Sequence, residues 1–281
     1  MDYLDYYGLT QEPFSVMPLN RFYYHSEQHD RAMEKLERAV EAMKGLAVVV
    51  GDVGTGKTTL ARRLLDSLPE DEYEASLMVI VHTDVDGNWL LKRIAIQLGV
   101  PNPSEKRVEV LGQLFRRLVQ IAESGKKAVI LIDEAQMLKS ANLMQEFRGL
   151  LNLELPEQKL VSFVFFGLPE LEGVLRQDPA LVQRIAVKHR LTPFQPEITA
   201  DYVRHRLHLS GVDRPIFTDG AIHCLHEYAQ GIPRLINVIS DNALFEGYIR
   251  KMDLIDYDVI DSVADDLGLL PNADMSPLHA L

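Results

Sequence analysis

The stretch LAVVVGDVGTGKTTLARRLLDSL, residues 46–68, decides the fold. It opens with a continuous apolar run at 46–50, which suits a strand buried on both faces, as in a parallel sheet. It closes with TTLARRLLDSL, whose apolar positions recur at helical spacing. Between the two, Gly51, Asp52, Val53, Gly54, Thr55, Gly56, Lys57 and Thr58 match G-x-x-x-x-G-K-[ST] in full. Glycines there let backbone N–H groups turn inward around phosphate oxygens, and the helix start adds its dipole. In that pattern Lys57 reaches the β- and γ-phosphates and the Thr58 hydroxyl ligates Mg²⁺, with Thr59 completing the candidate phosphate-binding set.

Three further apolar runs repeat the first: LMVIV at 77–81, AVILI at 128–132 and VSFVFF at 161–166. A weaker fifth strand is expected at 187–191, after a helix at 178–185. The segments between read as helices. NWLLKRIAIQLG (88–99) sets Leu90, Leu91, Ile94 and Leu98 on one face. VEVLGQLFRRLVQIAE (108–123) does the same with Val108, Leu111, Leu114, Phe115, Leu118 and Ile121. Alternating strand and helix predicts an α/β fold with helices on both faces of a parallel sheet. The run AVILIDEAQ ends in Asp133, placed to hold Mg²⁺ through water, and Glu134, spaced to polarise an attacking water. An acid beside the metal aspartate favours hydrolysis over transfer to an acceptor.

The pattern changes at LTPFQPEIT, 191–199. Beyond it only helices are expected: one from near Thr199, one capped by Thr218 or Asp219, one with Pro233 in its first turn, and one over 257–266. The expected organisation is a nucleotide-binding αβα domain at 1–194 with an N-terminal arm at 1–45, a small helical domain at 195–268, and a flexible tail at 269–281.

Composition narrows the function. The chain has 281 residues, 47% hydrophobic and 25% charged, and a net charge of −12. That sign disfavours a surface that grips DNA backbone, though a local basic patch stays open. Arg62-Arg63, Arg116-Arg117 and Lys126-Lys127 are such clusters, most simply read as solvated helix faces. The N-terminus carries Asp2 and Asp5 and does not read as a signal peptide. No apolar run approaches the roughly 18–20 residues of a membrane span, so a soluble, cytoplasmic chain is expected. The single Cys224 excludes a disulfide framework. The pairs His205/His208 and His223/His226 lack a third ligand type and read as solvated helix histidines. Residues 253–274 hold seven aspartates and no Lys or Arg, which suits a solvated acidic face or a dock for a basic partner.

The strand ending in Asp133-Glu134 followed by a separate helical domain resembles the AAA+ ATPases: an αβα sandwich on a five-stranded parallel sheet, then a small all-α lid. GIPRLIN is similar to that group's sensor-2 motif, which implies that Pro233 and Arg234 approach the nucleotide and that Arg234 meets the γ-phosphate of ATP. The resemblance also implies an arginine finger acting in trans, with Arg184 first, Arg190 second and Arg148 third, and hence a homo-oligomeric ring or filament.

More specifically the chain resembles the ExeA (GspA)-type secretion ATPases. The likeness begins at Tyr6-Tyr7-Gly8-Leu9, Glu12-Pro13-Phe14-Ser15 and Arg21-Phe22-Tyr23-Tyr24-His25-Ser26. It continues through the phosphate loop, 132–136, 150–154, Gly167 with Pro169-Glu170-Leu171, and 231–234. It implies that the arm covers the adenine, with Phe22, Tyr23, Tyr24 and His25 as candidates beside the alternative that they pack the arm on the core. One departure is Leu168, where the family often has the glutamine of its sensor-1 position; Ser162 is the alternative, or sensing is weaker and hydrolysis slow. The other is the C-terminus: longer members continue into a membrane span and a peptidoglycan-binding domain, so the resemblance is to short cytoplasmic members found with type IV pilus and polysaccharide-export systems. That implies a protein partner in such a machine, with recruitment to the inner membrane through it. Two rivals stand beside this: a TnsC- or MuB-like DNA-associated regulator of transposition, and an ATP-gated switch with little turnover.

Overall fold

The computed structural model describes residues 2–17 and 20–270. In chain order the elements are α1 (Tyr3–Tyr7), α2 (Glu27–Glu41), β1 (Leu46–Gly51), α3 (Lys57–Asp66), β2 (Tyr73–Val79), α4 (Gly87–Gln97), α5 (Arg107–Glu123) and β3 (Lys127–Asp133). They continue with α6 (Ala141–Leu150), β4 (Glu154–Leu155), β5 (Gln158–Lys159), β6 (Val161–Gly167), α7 (Leu171–Leu175), α8 (Pro179–Val182) and β7 (Ile185–Leu191). The last four are α9 (Pro196–Leu209), α10 (Asp219–Ala229), α11 (Pro233–Ile249) and α12 (Tyr257–Asp266). Contacts divide the chain into two units. One holds Glu27–Asp52 and Lys57–Leu191; the other holds Met1–Ser26, Val53–Gly56 and Thr192–Leu281, in their described parts.

The first unit is a five-stranded parallel sheet in the order β2-β3-β6-β1-β7. The three inner strands are almost wholly buried, while the edge strand β2 mixes buried and accessible positions and β7 alternates half-buried with exposed ones up to the buried Leu191. Continuous apolar runs are therefore the inner strands, as two covered faces require. Successive side chains leave a strand on opposite faces. Val48, Val50, Ile130, Ile132, Phe163 and Phe165 pack in one cluster with α4, α5 and α6. Val49, Leu131, Val164 and Phe166 pack in another with α2 and α3. A short antiparallel pair, β4 with β5, lies outside the sheet.

Two expectations shift. The second strand is 73–79 rather than 77–81, paired with β3 along Tyr73↔Lys127 to Val79↔Asp133. Both its faces are packed, Met78 in one cluster and Tyr73, Ala75 and Leu77 in the other, but less completely than on the inner strands, so its apolar run is not its extent. On α5 the inward stripe is Val110, Leu114, Leu118 and Ile121; Val108 is 82% exposed and Phe115 38% exposed.

The second unit is helical. α9 to α12 close around Val203, Ile216, Leu225, Ile236, Ile239, Leu244, Ile255 and Ile260. Thr218 caps α10 through the Ala221 amide, and Pro233 opens α11. The arm expected at 1–45 is divided: from Glu27 it is α2 of the sheet unit, but Tyr7, Leu9 and Phe14 belong to the helical core. Its anchor is Arg206 on α9, a buried guanidinium whose Nη1 donates to Pro13 O at 2.9 Å and Ser15 O at 3.2 Å. The rings of Phe22 and Tyr202 flank it, 5.0 and 5.2 Å from the guanidinium carbon. Of the tail expected at 269–281, residues 271–281 lie outside the described residues.

Candidate functional site

Parallel strands bring their carboxyl ends to one edge of the sheet, where α/β proteins bind ligands. Lys57 is the first residue of α3, buried, and its Nζ donates to Gly51 O and Asp52 O, both at 2.8 Å. Burial pushes its ammonium below the usual lysine range, opposed by the charges of Glu134, Asp133 and Asp52. Asp133 ends β3 and is 2% exposed. Its Oδ2 accepts from Thr58 Oγ1 at 2.7 Å and its Oδ1 from the Glu134 amide at 2.9 Å. Burial pushes this carboxyl up, and those two donors hold it down. Thr59 is half-buried on the first turn of α3.

Glu134 has a left-handed backbone, φ 56° and ψ 35°, which costs a non-glycine residue roughly 1–2 kcal/mol. The surroundings hold it: Asp133 binds its amide, and its own carbonyl accepts from the Met137 amide at 2.9 Å. Its side chain is not loose either. Gln136 Nε2 donates to Glu134 Oε2 at 2.5 Å, while Gln136 Oε1 accepts from the Leu168 amide at 3.0 Å. Gln136 carried no role in the sequence, because its two partners lie on different segments.

A site for Mg²⁺ has to offer hard oxygen donors, few enough to leave room for waters and phosphate. The hydroxyl of Thr58 and the carboxylate of Asp133, already in contact, fit that requirement. The Asp133 carboxyl, raised by burial, is the kind of group that a divalent cation would hold ionised.

Within the helical unit, Val53–Gly56 meets the start of α11. The Arg234 amide donates to Gly54 O at 3.3 Å. Gly54 has φ +82°, and a Cβ there would lie 2.8 Å from Ile232 Cγ2 and 2.9 Å from Arg234 Cβ. Thr55 is fully buried, Val53 is 62% exposed, Gly56 has φ +99°, and the Arg234 side chain is exposed. Pro233 supplies the first helical position.

The three finger candidates differ. Arg190 pairs with Glu172 at 2.6 Å and Arg148 with Asp178 at 2.9 Å. Arg184 is in no ion pair among the described residues. It precedes β7, so it sits at the amino edge of the sheet, a strand length of roughly 20 Å from the edge where Asp133 lies. There Arg184 lines an open concavity of about 650 Å³ with Lys44, Arg148, Lys159 and Glu154.

The aromatic arm packs inside the helical unit. Tyr24 stands edge-on to Phe194, Tyr202 and His205, and Phe22 and Tyr23 are buried. His25 is exposed, edge-on to Tyr23. Ser162 is corrected as a sensing group: it is the second residue of β6, buried, with its hydroxyl 3.6 Å from Met43 Sδ, at the other end of the strand from Leu168. Two histidines expected in solvent are partly buried, His205 and His226, the latter 2.8 Å from Thr199 Oγ1. His208 and His223 are exposed and lie against Asp213 and Glu227.

Comparison with known proteins agrees with this arrangement. Residues 40–175 match the family model described as an AAA domain. General secretion pathway protein A of Aeromonas hydrophila is 37% identical over 251 residues, 88% of this chain and 45% of that protein. Residues 40–175 are thus similar to an AAA domain, within a chain similar to general secretion pathway protein A. An uncharacterized HTH-type transcriptional regulator of Methanocaldococcus jannaschii is 26% identical over 157 residues, 53% of this chain and 37% of that one. The chain thus spans less than half the length of each of these relatives. Among solved structures, the Aeropyrum pernix ORC2 protein superposes with TM-score 0.68 at 16% identity, over 91% of this chain and 71% of that one. Cdc6p of Pyrobaculum aerophilum gives 0.68 at 18%, over 90% and 70%, and a Walker-type ATPase of Pyrococcus abyssi 0.65 at 18%, over 91% and 76%. At such identities the likeness is one of fold. No described helix is long and apolar enough to cross a membrane.

Proposed function

We propose that this protein binds and hydrolyses ATP with Mg²⁺, and couples its nucleotide state to the assembly or remodelling of a secretion, pilus or polysaccharide-export machine. The observation that carries the reading is the contact of Thr58 with Asp133 beside the buried Lys57, at the carboxyl edge of a parallel sheet. Residues 51–59 cradle the phosphates, Lys57 neutralises their charge, and Thr58 and Asp133 hold the metal. Mg²⁺, when bound, draws charge from the phosphate oxygens. Glu134 orients the attacking water and accepts its proton. Arg234 and Pro233, at the start of a lid made by residues 195–268, follow the nucleotide.

Arg184 is assigned to a neighbouring copy's site, because it lies at the wrong edge of the sheet to serve its own. Its guanidinium is held in no close ion pair among the described residues, Glu154 acting on it only through space, and so can meet phosphate charge. A homo-oligomeric ring or filament follows. The similarity to general secretion pathway protein A supports a protein partner in a secretion machine and recruitment to the inner membrane through it.

The test is steady-state ATP turnover with and without Mg²⁺, in wild type and Glu134→Gln, each with and without duplex DNA. Mg²⁺-dependent turnover lost in Glu134→Gln supports the reading. Equal turnover in the two proteins removes the hydrolase, and salt-sensitive stimulation by DNA moves the role to nucleic acid.

A further inference from the structure

The Leu168 side chain has no atom that can report on phosphate, and Ser162 is at the far end of its strand. The structure holds another link between the end of β6 and Glu134. Gln136 is 7% exposed, on the turn that follows Glu134. Its amide has one donor side and one acceptor side, and both are engaged: Nε2 with the Glu134 carboxylate at 2.5 Å, Oε1 with the Leu168 N–H at 3.0 Å.

The fit leaves no slack. A Cβ on Gly167 would lie 2.9 Å from Gln136 Oε1 and 3.3 Å from the Gln136 amide nitrogen, so the last residue of β6 is a glycine where the glutamine passes. Few other side chains can do this. Glutamate would keep an acceptor for Leu168 but set a second carboxylate against Glu134. Lysine would lose the acceptor, and methionine would keep the volume and lose both bonds.

We infer that Gln136 is a positioning residue that fixes the Glu134 carboxylate to the backbone at the end of β6, so that a movement of the Gly167-Leu168 peptide moves the water-orienting group. The inference rests on the proposed role of Glu134. It gives the position after β6 a function that its backbone N–H performs whatever its side chain. Leucine at 168 then does not abolish coupling between strand and base.

The test uses the full chain with Gln136→Met and Gln136→Glu, beside Glu134→Gln. With the carboxylate untethered, kcat falls on the order of 10²-fold in both glutamine variants. KM and the directly measured Kd for ATP stay within about threefold, because neither variant touches the phosphate loop. Gln136→Glu keeps the Leu168 bond and so separates the donor side from packing. Hydrogen exchange gives a readout apart from turnover: the Leu168 amide, protected in wild type, exchanges faster in Gln136→Met and stays protected in Gln136→Glu. Unchanged kcat in both variants, with Glu134→Gln inactive, overturns the inference and leaves the ATPase reading standing. Full activity in Glu134→Gln removes both. Unchanged Leu168 exchange in Gln136→Met, or loss of ATP binding together with kcat, overturns the positioning role as well.

Discussion

Removing the guanidinium of Arg206 should unfasten the N-terminal arm. Its Nη1 serves two carbonyls, Pro13 O at 2.9 Å and Ser15 O at 3.2 Å, and two aromatic faces lie near 5 Å from its carbon, at 5.0 and 5.2 Å. Leaving a buried carbonyl without its donor costs about 1–3 kcal/mol. The ring contacts add about 0.5–2 kcal/mol when desolvated. One fully buried carbonyl, one partly buried and one effective ring contact sum to roughly 3 kcal/mol for Arg206→Met, which keeps the apolar stem. Arg206→Lys retains the charge but not the planar fork and should lose about half as much. Urea unfolding followed by far-UV circular dichroism checks this: with a slope of roughly 3 kcal/mol per molar, the midpoint falls by about 1 M in Arg206→Met. Limited proteolysis should cut residues 10–17 faster in the same variant. A midpoint within about 0.2 M of wild type, with the arm still resistant, would show that the apolar packing of Tyr7, Leu9 and Phe14 holds the arm without the guanidinium.

Gly231 should tolerate no side chain: its φ is +68° and a Cβ would stand 2.0 Å from Phe194 O, so Gly231→Ala should lower the melting temperature by several degrees, and an unchanged melt would contradict the close approach. His189, His205 and His226 are all held below the ordinary histidine value of 6.5 by burial. A lowered folded-state pKa contributes stability above the unfolded value that is lost as pH falls through the folded one. Melting temperature should therefore drop from pH 7 to pH 5, and replacing the three by glutamine should flatten the profile; Asp133 and Asp241, whose carboxyls burial raises, act in the opposite direction nearer the carboxylate range. An equal slope in the triple variant would assign the dependence elsewhere. Finally, Arg184→Ala and Glu134→Gln should each be inactive alone, yet regain turnover when mixed, since each supplies what the other's site lacks; a mixture that stays inactive would remove the finger from Arg184.

The inner strands were legible in the sequence because burial on both faces leaves an uninterrupted apolar run, and β1, β3 and β6 each have one. β2 was legible as a strand but not in its limits, since an edge strand is less completely buried and accommodates Glu74 and Ser76 within its span. The stripe on α5 was misread by its flanks: Leu114, Leu118 and Ile121 fit either stripe, and only the packed partners choose Val110 over Val108. The phosphate loop, Asp133 and Glu134 stood out because their chemistry is local and contiguous. Gln136 did not, because a bridging amide is defined by two partners, one of them 32 residues away. Arg206 was hidden further, with its acceptor 193 residues upstream. A hydrophobic pattern carries no sign of a charge buried against backbone carbonyls.

The divided arm has a consequence for synthesis. Tyr7, Leu9 and Phe14 complete a core whose other members come from residues after Thr192. During translation these side chains leave the ribosome before the sheet is made and reach their partners only after it. The helical unit is thus a clasp whose two halves are made at different times. A fragment that begins at Thr192 would lack one half, and it would leave Arg206 facing solvent in place of its carbonyls.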